Sequence, residues 1–126
     1  MKLLAVLLLT TLAVGCGYSH PTTPIQPGTM PIITGLVPPS ANHGGVAFTF
    51  EVDGTKFTAN AVINFNGTAQ TTTFVSSTKL TTMISSTAIA SAGAVPVTVT
   101  NPGTPGGLYG GGTKAATSTA MSFTIN

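Results

Sequence analysis

One thiol, two carboxylates, two imidazoles and four ammonium groups are all the ionisable chemistry this 126-residue chain carries besides its tyrosines. The thiol is Cys16; with no second cysteine, no disulfide is open to it within the chain, and its chemistry is that of a thiolate nucleophile. Glu51 and Asp53 stand two apart, so on an extended strand they share one face. A glycosidase pair of carboxylates works ~5–9.5 Å apart across a cleft, and calcium asks for ~6–8 oxygens. Two carboxylates on an open strand meet neither need, so a solvated edge with at most a weak cation contact is expected there. His43 lies in the turn sequence Ser40-Ala41-Asn42-His43-Gly44-Gly45 with no Cys or second His at metal-ligand spacing. His20 stands alone in a proline-rich stretch. No serine sits in Gly-x-Ser-x-Gly, so the histidines and acids have no nucleophile to serve. The expectation is a chain with no catalytic residue, no metal site and no cofactor.

The stretch Thr104 to Thr117, Thr-Pro-Gly-Gly-Leu-Tyr-Gly-Gly-Gly-Thr-Lys-Ala-Ala-Thr, invites a phosphate-loop reading. That motif needs Gly-Lys-Ser/Thr opening a helix; here Thr113 precedes Lys114, Ala115 follows, and a strand comes next. As a connection between strands it is long against the usual ~2–5 residues, and loops at the ends of a sandwich are where binding residues cluster. Leu108, Tyr109 and Lys114 are therefore the expected contact residues, for a protein or a glycan partner. Tyr109 is the aromatic of the stretch and amphipathic. Against a glycan stand the absence of Trp and the single tyrosine in this loop.

Charge removes another class. Charged residues are 5% of the chain, with no Arg and four Lys, against ~25% in an average globular protein. Nucleic-acid binding draws on many cations that release counterions, so no nucleic-acid partner is expected. Solubility must rest on the hydroxyls and amides of Thr, Ser and Asn.

These residues are positioned by three successive kinds of chain. Met1-Lys2 supplies a positive charge, and Leu3 to Val14 is apolar apart from Thr10 and Thr11. The run is about a dozen residues, short of the roughly 20 a crossing helix needs, and it reads as an export signal over residues 1–15. Its end, Ala13-Val14-Gly15-Cys16, resembles the lipobox of bacterial lipoproteins, although Leu12 lies one step earlier than the usual leucine. The resemblance implies diacylation of Cys16, which becomes the mature N-terminus and anchors the chain in a membrane. Gly17 after the cysteine implies the outer membrane rather than the inner. The alternative is ordinary signal cleavage near Gly15 or Gly17, giving a soluble secreted protein. Residues 16–29, rich in Pro and Thr, read as an extended tether.

From Met30 onward the periodicity is two. Val46, Phe48, Phe50 and Val52 alternate with Ala47, Thr49, Glu51 and Asp53; Ala61, Ile63 and Phe65 lead into the hairpin signal Asn66-Gly67. Leu80, Thr82 and Ile84 form another strand, as do Val95, Val97 and Val99, and Met121, Phe123 and Ile125. Ile32 to Val37 and Thr71 to Val75 are further strands, and Ser85 to Ala92 has room for one helical turn. Pro96 offers no N–H, so its nitrogen must face an unpaired or bulged position. Phe48, Phe50, Phe65 and Phe123 are expected inside, with Gly54 permitting a tight turn and Phe57 folding back over one end of the core. Six or seven short strands over residues 30–126 predict an all-β, antiparallel sandwich.

The ordered set Pro31-Ile32-Ile33, Leu36-Val37-Pro38, Gly44-Gly45, Phe48 to Phe57, Val62 to Ala69, Val97 to Gly103 and Ser122 to Ile125 resembles the IPT/TIG domain, an immunoglobulin-like module. The resemblance implies a non-enzymatic module for structural or protein–protein contact, here in the cell envelope. Uncharged strand edges add the expectation of an edge-on partner or a second copy.

Overall fold

The computed structural model describes residues 24–108 and 110–126; residues 1–23 and Tyr109 lie outside them, and with them the expected export signal, Cys16 and His20. The body is an antiparallel β-sandwich of immunoglobulin-like form. One sheet runs in the order β1 (Ile32–Val37), β3 (Phe48–Thr55), β7 (Lys79–Ile84), β6 (Thr72–Ser76). The other runs β2 (Ser40–Ala41), β10 (Met121–Ile125), β8 (Gly93–Asn101), β4 (Val62–Phe65), β5 (Thr68–Ala69), with β9 (Ala116–Thr117) also paired to β8. All pairings are antiparallel except β2 with β10. The one helical turn is 3-10, at Ser86–Ile89, inside the interval expected for it.

Alternation drives the packing. Phe50 and Val52 of β3, Ile63 and Phe65 of β4, Leu80 and Ile84 of β7, Val97 and Val99 of β8, and Phe123 and Ile125 of β10 are all buried. Phe48 belongs to the same side of β3 but is only half-buried, stacked on Phe123 with ring centroids 6.1 Å apart. Val46 departs from the expected alternation: β3 begins at Phe48, and Val46 is 82% exposed in the preceding loop. In β1, Ile33 and Leu36 are both buried although three residues apart. An irregularity between Ile33 and Gly35 inserts one residue, Thr34, into the pairing with β3 and flips the parity. Pro38 and Pro39 lack ladder donors, so β1 stops there and the chain crosses to the second sheet as β2.

Gly54 does not make a turn. It lies within β3, where a Cβ would collide with the Ile32 carbonyl oxygen and approach the Phe57 ring within 2.6 Å. Its smallness lets Phe57 fold back and bury, while the reversal itself falls on Lys56, at φ 64°. Asn66 and Gly67, at φ 53° and 81°, form the expected two-residue hairpin between β4 and β5. Pro96 accepts a hydrogen bond from the Asn66 amide at 2.9 Å. Nitrogen and carbonyl of one strand residue point to the same neighbour, so the proline nitrogen faces that hairpin turn, past the last β4–β8 pair, Phe65 with Val97.

Candidate functional site

The two ends of the sandwich differ in what they gather. The proximal end, where the described chain begins, is built around the buried Asn101 at the close of β8. Its side-chain nitrogen donates to the carbonyl oxygens of Thr29 (2.7 Å) and Lys56 (2.8 Å). Its side-chain oxygen accepts from the amide and the hydroxyl of Thr58, at 3.1 and 3.3 Å. One amide thus fills its hydrogen-bonding capacity and fastens three segments of chain. In the sequence Asn101 precedes Pro-Gly and reads as a turn residue; nothing in the local pattern marks it as a hub.

The glycine-rich stretch also lies at this end and has structure of its own. Thr104 and Thr113 exchange backbone hydrogen bonds at 3.0 and 3.1 Å, and Gly107 and Gly110 do the same at 2.7 and 3.1 Å. The Thr104 and Thr113 hydroxyls meet at 3.0 Å. Gln26 adds a third strand to this ladder: its amide donates to the Gly112 carbonyl at 3.1 Å, and its carbonyl accepts from the Lys114 amide at 2.9 Å. Gly28 passes so close to the Lys114 carbonyl that any side chain there would collide with it. Residues 26–29 therefore lie along the body rather than reaching away from it.

Of the expected contact residues, Leu108 is 89% exposed at the tip of the stretch and Lys114 is exposed at its base; Tyr109 is outside the described residues. Ile25 (58% exposed) and Met30 (49%) stand at the same end. Between the ladder and Asn101 lies a cleft of about 150 Å³, lined by Thr58, Asn60, Asn101, Thr104, Thr113 and Lys114 among others. Several of its polar groups already serve one another, while the side chains of Thr29, Asn60 and Lys114 have no hydrogen-bond partner among the described residues.

Glu51 and Asp53 share the outer face of β3, as expected, but they have a cation between them. The Lys79 ammonium stands 3.0 Å from a Glu51 oxygen and 4.0 Å from an Asp53 oxygen. The hydrogen bond from Lys79 to Glu51, reinforced by the Glu51 charge, raises the lysine pKa above its ordinary value. With both carboxylates of the chain engaged there, Lys56 and Lys114 keep uncompensated charge at the proximal end. No group of three His, Cys, Asp or Glu side chains able to hold a metal ion occurs among the described residues.

The distal end gathers His43, the 3-10 turn, the Asn66-Gly67 hairpin and the end of β10. The His43 amide and its Nδ1 both reach the Asn126 carbonyl oxygen, at 2.8 and 2.7 Å, and the Gly44 amide donates to Ile89. His43 thus fastens β10 to its neighbouring loop.

Along the side of the molecule, β6 is an edge of its sheet, paired to β7 alone among the described residues. Its residues, Thr72-Thr73-Phe74-Val75-Ser76, carry no charge, and Phe74 and Val75 are 38% and 53% exposed.

A family model described as the IPT/TIG domain matches residues 31–125. No curated protein and no solved structure matches the chain.

Proposed function

The chain belongs to the IPT/TIG domain family, and from that premise we propose that it is a non-enzymatic lipoprotein of the bacterial cell envelope whose sandwich makes contact with other proteins. Domains of this family commonly serve in protein interaction and are generally non-catalytic. The observation that carries the envelope reading is the leader itself: a lysine, an apolar run too short to span a bilayer, and small residues closing on the chain's one cysteine. Diacylation of Cys16 and its free amine would give the two or more acyl chains that stable anchoring needs. The resemblance of its flanks favours the outer membrane.

The contact surface best suited to a protein is the β6 edge. Among the described residues no strand lies beside its outward amides and carbonyls; its side chains are threonine, phenylalanine, valine and serine, which favour extended partners, and its pairing with β7 slips by one residue at Val75. A partner strand would add to β7–β6 through main-chain hydrogen bonds and find specificity at Phe74 and Val75. Sugar binding at the glycine-rich stretch would have to work with the small cleft described above.

The test is fractionation of cells making the full chain and its Cys16→Ser variant, with labelled fatty acid as the lipid probe. The expected result is label and membrane retention for the parent and loss of both in the variant. Equal membrane retention of the two overturns the anchoring claim.

A further inference from the structure

We propose that the proximal end, with Leu108 at its tip, docks on the surface of an anionic lipid bilayer, so that the sandwich stands on the membrane rather than swinging freely from its anchor. The inference rests on the anchoring of Cys16 and deepens it by assigning the glycine-rich stretch a lipid partner.

Three observations converge. The first is where the chain enters. Gln26 is hydrogen-bonded into the Thr104–Thr113 ladder, so only residues 17–25 separate Cys16 from the body. Even fully extended, that length spans roughly 30 Å at ~3.3–3.6 Å per residue. The end of the molecule nearest the lipid is thus the end that carries the glycine-rich stretch. The distal loops, with His43 and the Asn66-Gly67 hairpin, are displaced from it by the length of β3 and β8.

The second observation is the apolar side chains offered there. Leu108 is 89% exposed, Ile25 58% and Met30, at the same end, 49%. Leu108 sits on a narrow ladder closed by the Gly107–Gly110 hydrogen bonds, which presents the side chain outward without a core to join. The third is charge. Lys79 holds both carboxylates of the chain, leaving Lys56 and Lys114 free at the proximal end. Cations flanking exposed apolar side chains are the pattern of an interfacial contact with anionic headgroups. The attachment is weak alone and becomes effective because the anchor holds it within reach.

The sequence contains no tryptophan, so a single Trp reports its own surroundings. Leu108→Trp and, at the distal end, Val46→Trp both fall on exposed positions. The full chain is processed in cells, purified, and reconstituted into vesicles of phosphatidylethanolamine and phosphatidylglycerol with brominated acyl chains. Flotation reports anchoring, and fluorescence reports docking. The expected result is co-flotation of both variants, with emission at least two-fold quenched and blue-shifted for Leu108→Trp and unchanged for Val46→Trp. Adding Lys56→Gln and Lys114→Gln, or replacing phosphatidylglycerol by phosphatidylcholine, is expected to halve the quenching. Co-flotation with equal quenching at the two positions, or with none at 108, overturns the docking and leaves the anchoring intact. Failure of the chain to float removes the anchoring and the docking together.

Discussion

The rings of Phe50 and Phe123 meet edge to face across the two sheets, with centroids 5.3 Å apart and planes at 84°. Phe65 closes the group, 5.7 Å from Phe50 and 5.4 Å from Phe123. All three rings are buried, and the geometry is the favourable one for aromatic quadrupoles. A domain of this size without a disulfide depends on such a cluster for its cohesion.

Phe50→Ala should therefore cost about 3–5 kcal/mol, enough to remove much of the stability of a small domain. Urea unfolding with the variant beside the parent measures it. A midpoint within error of the parent's would take Phe50 out of the core.

Asn101→Ala should cost roughly 2–3 kcal/mol, because it strips hydrogen bonds from the Thr29 and Lys56 carbonyls and from Thr58 within a partly buried site. It should also loosen the start of the chain from the body. Hydrogen exchange at the amides of Gln26 and Lys114 reads this directly: both should lose protection, while that of Val97 follows only the global change.

Two glycines in one sheet make opposite predictions. Gly54→Ala drives a methyl into the Ile32 carbonyl and the Phe57 ring, with an expected loss of about 1–3 kcal/mol or more. Gly35→Ala meets only the Asp53 Cβ at 3.9 Å and should be close to neutral. Thermal melts of the two variants should separate clearly; similar melting temperatures would refute the close approach at Gly54.

Lys79 gives a pH signature. Its pKa in the fold is raised, first by the hydrogen bond to Glu51 and then by that carboxylate's charge. A raised pKa means that the stabilisation is fully present below the ordinary lysine value of about 10.4 and is lost as pH climbs through the folded value. The melting-temperature difference between parent and Lys79→Gln should stay level from neutral pH to the mildly alkaline range and shrink above it. A difference that instead grew at high pH would contradict the pairing.

The free edge of β6 predicts association. Val75→Lys puts a charge on an exposed edge position and should abolish concentration-dependent self-association or partner pairing, with stability changed by no more than about 0.5 kcal/mol. Sedimentation velocity over a range of concentrations decides it, and undiminished association in the variant would point to another surface.

Strand existence was legible wherever a period of two ran unbroken, as in β3, β8 and β10, and where Asn66-Gly67 announced its own hairpin. What escaped were features set by the third dimension. The inserted residue at Thr34 changes which side chains of β1 face inward, and only the partner strand reveals it. Val46 continued the apolar alternation of β3 but lies before the first pair with β7, Phe48 with Ile84, so no neighbouring strand held it in the sheet. Asn101 looked like any turn asparagine because its partners lie 43 to 72 residues away in the chain. Gln26 read as spacer because the ladder it joins is itself irregular.

Pro96 has one more effect. Residues 66 and 96 fall opposite each other in the register that pairs Phe65 with Val97, yet only the Asn66 amide can donate, because the proline has no hydrogen to return. Should β4 slide along β8 by one pleat, a full β-pair would land on that missing hydrogen and lose a bond. The imino acid thus opposes a slide of β4 in that direction and favours the register that pairs Phe65 with Val97.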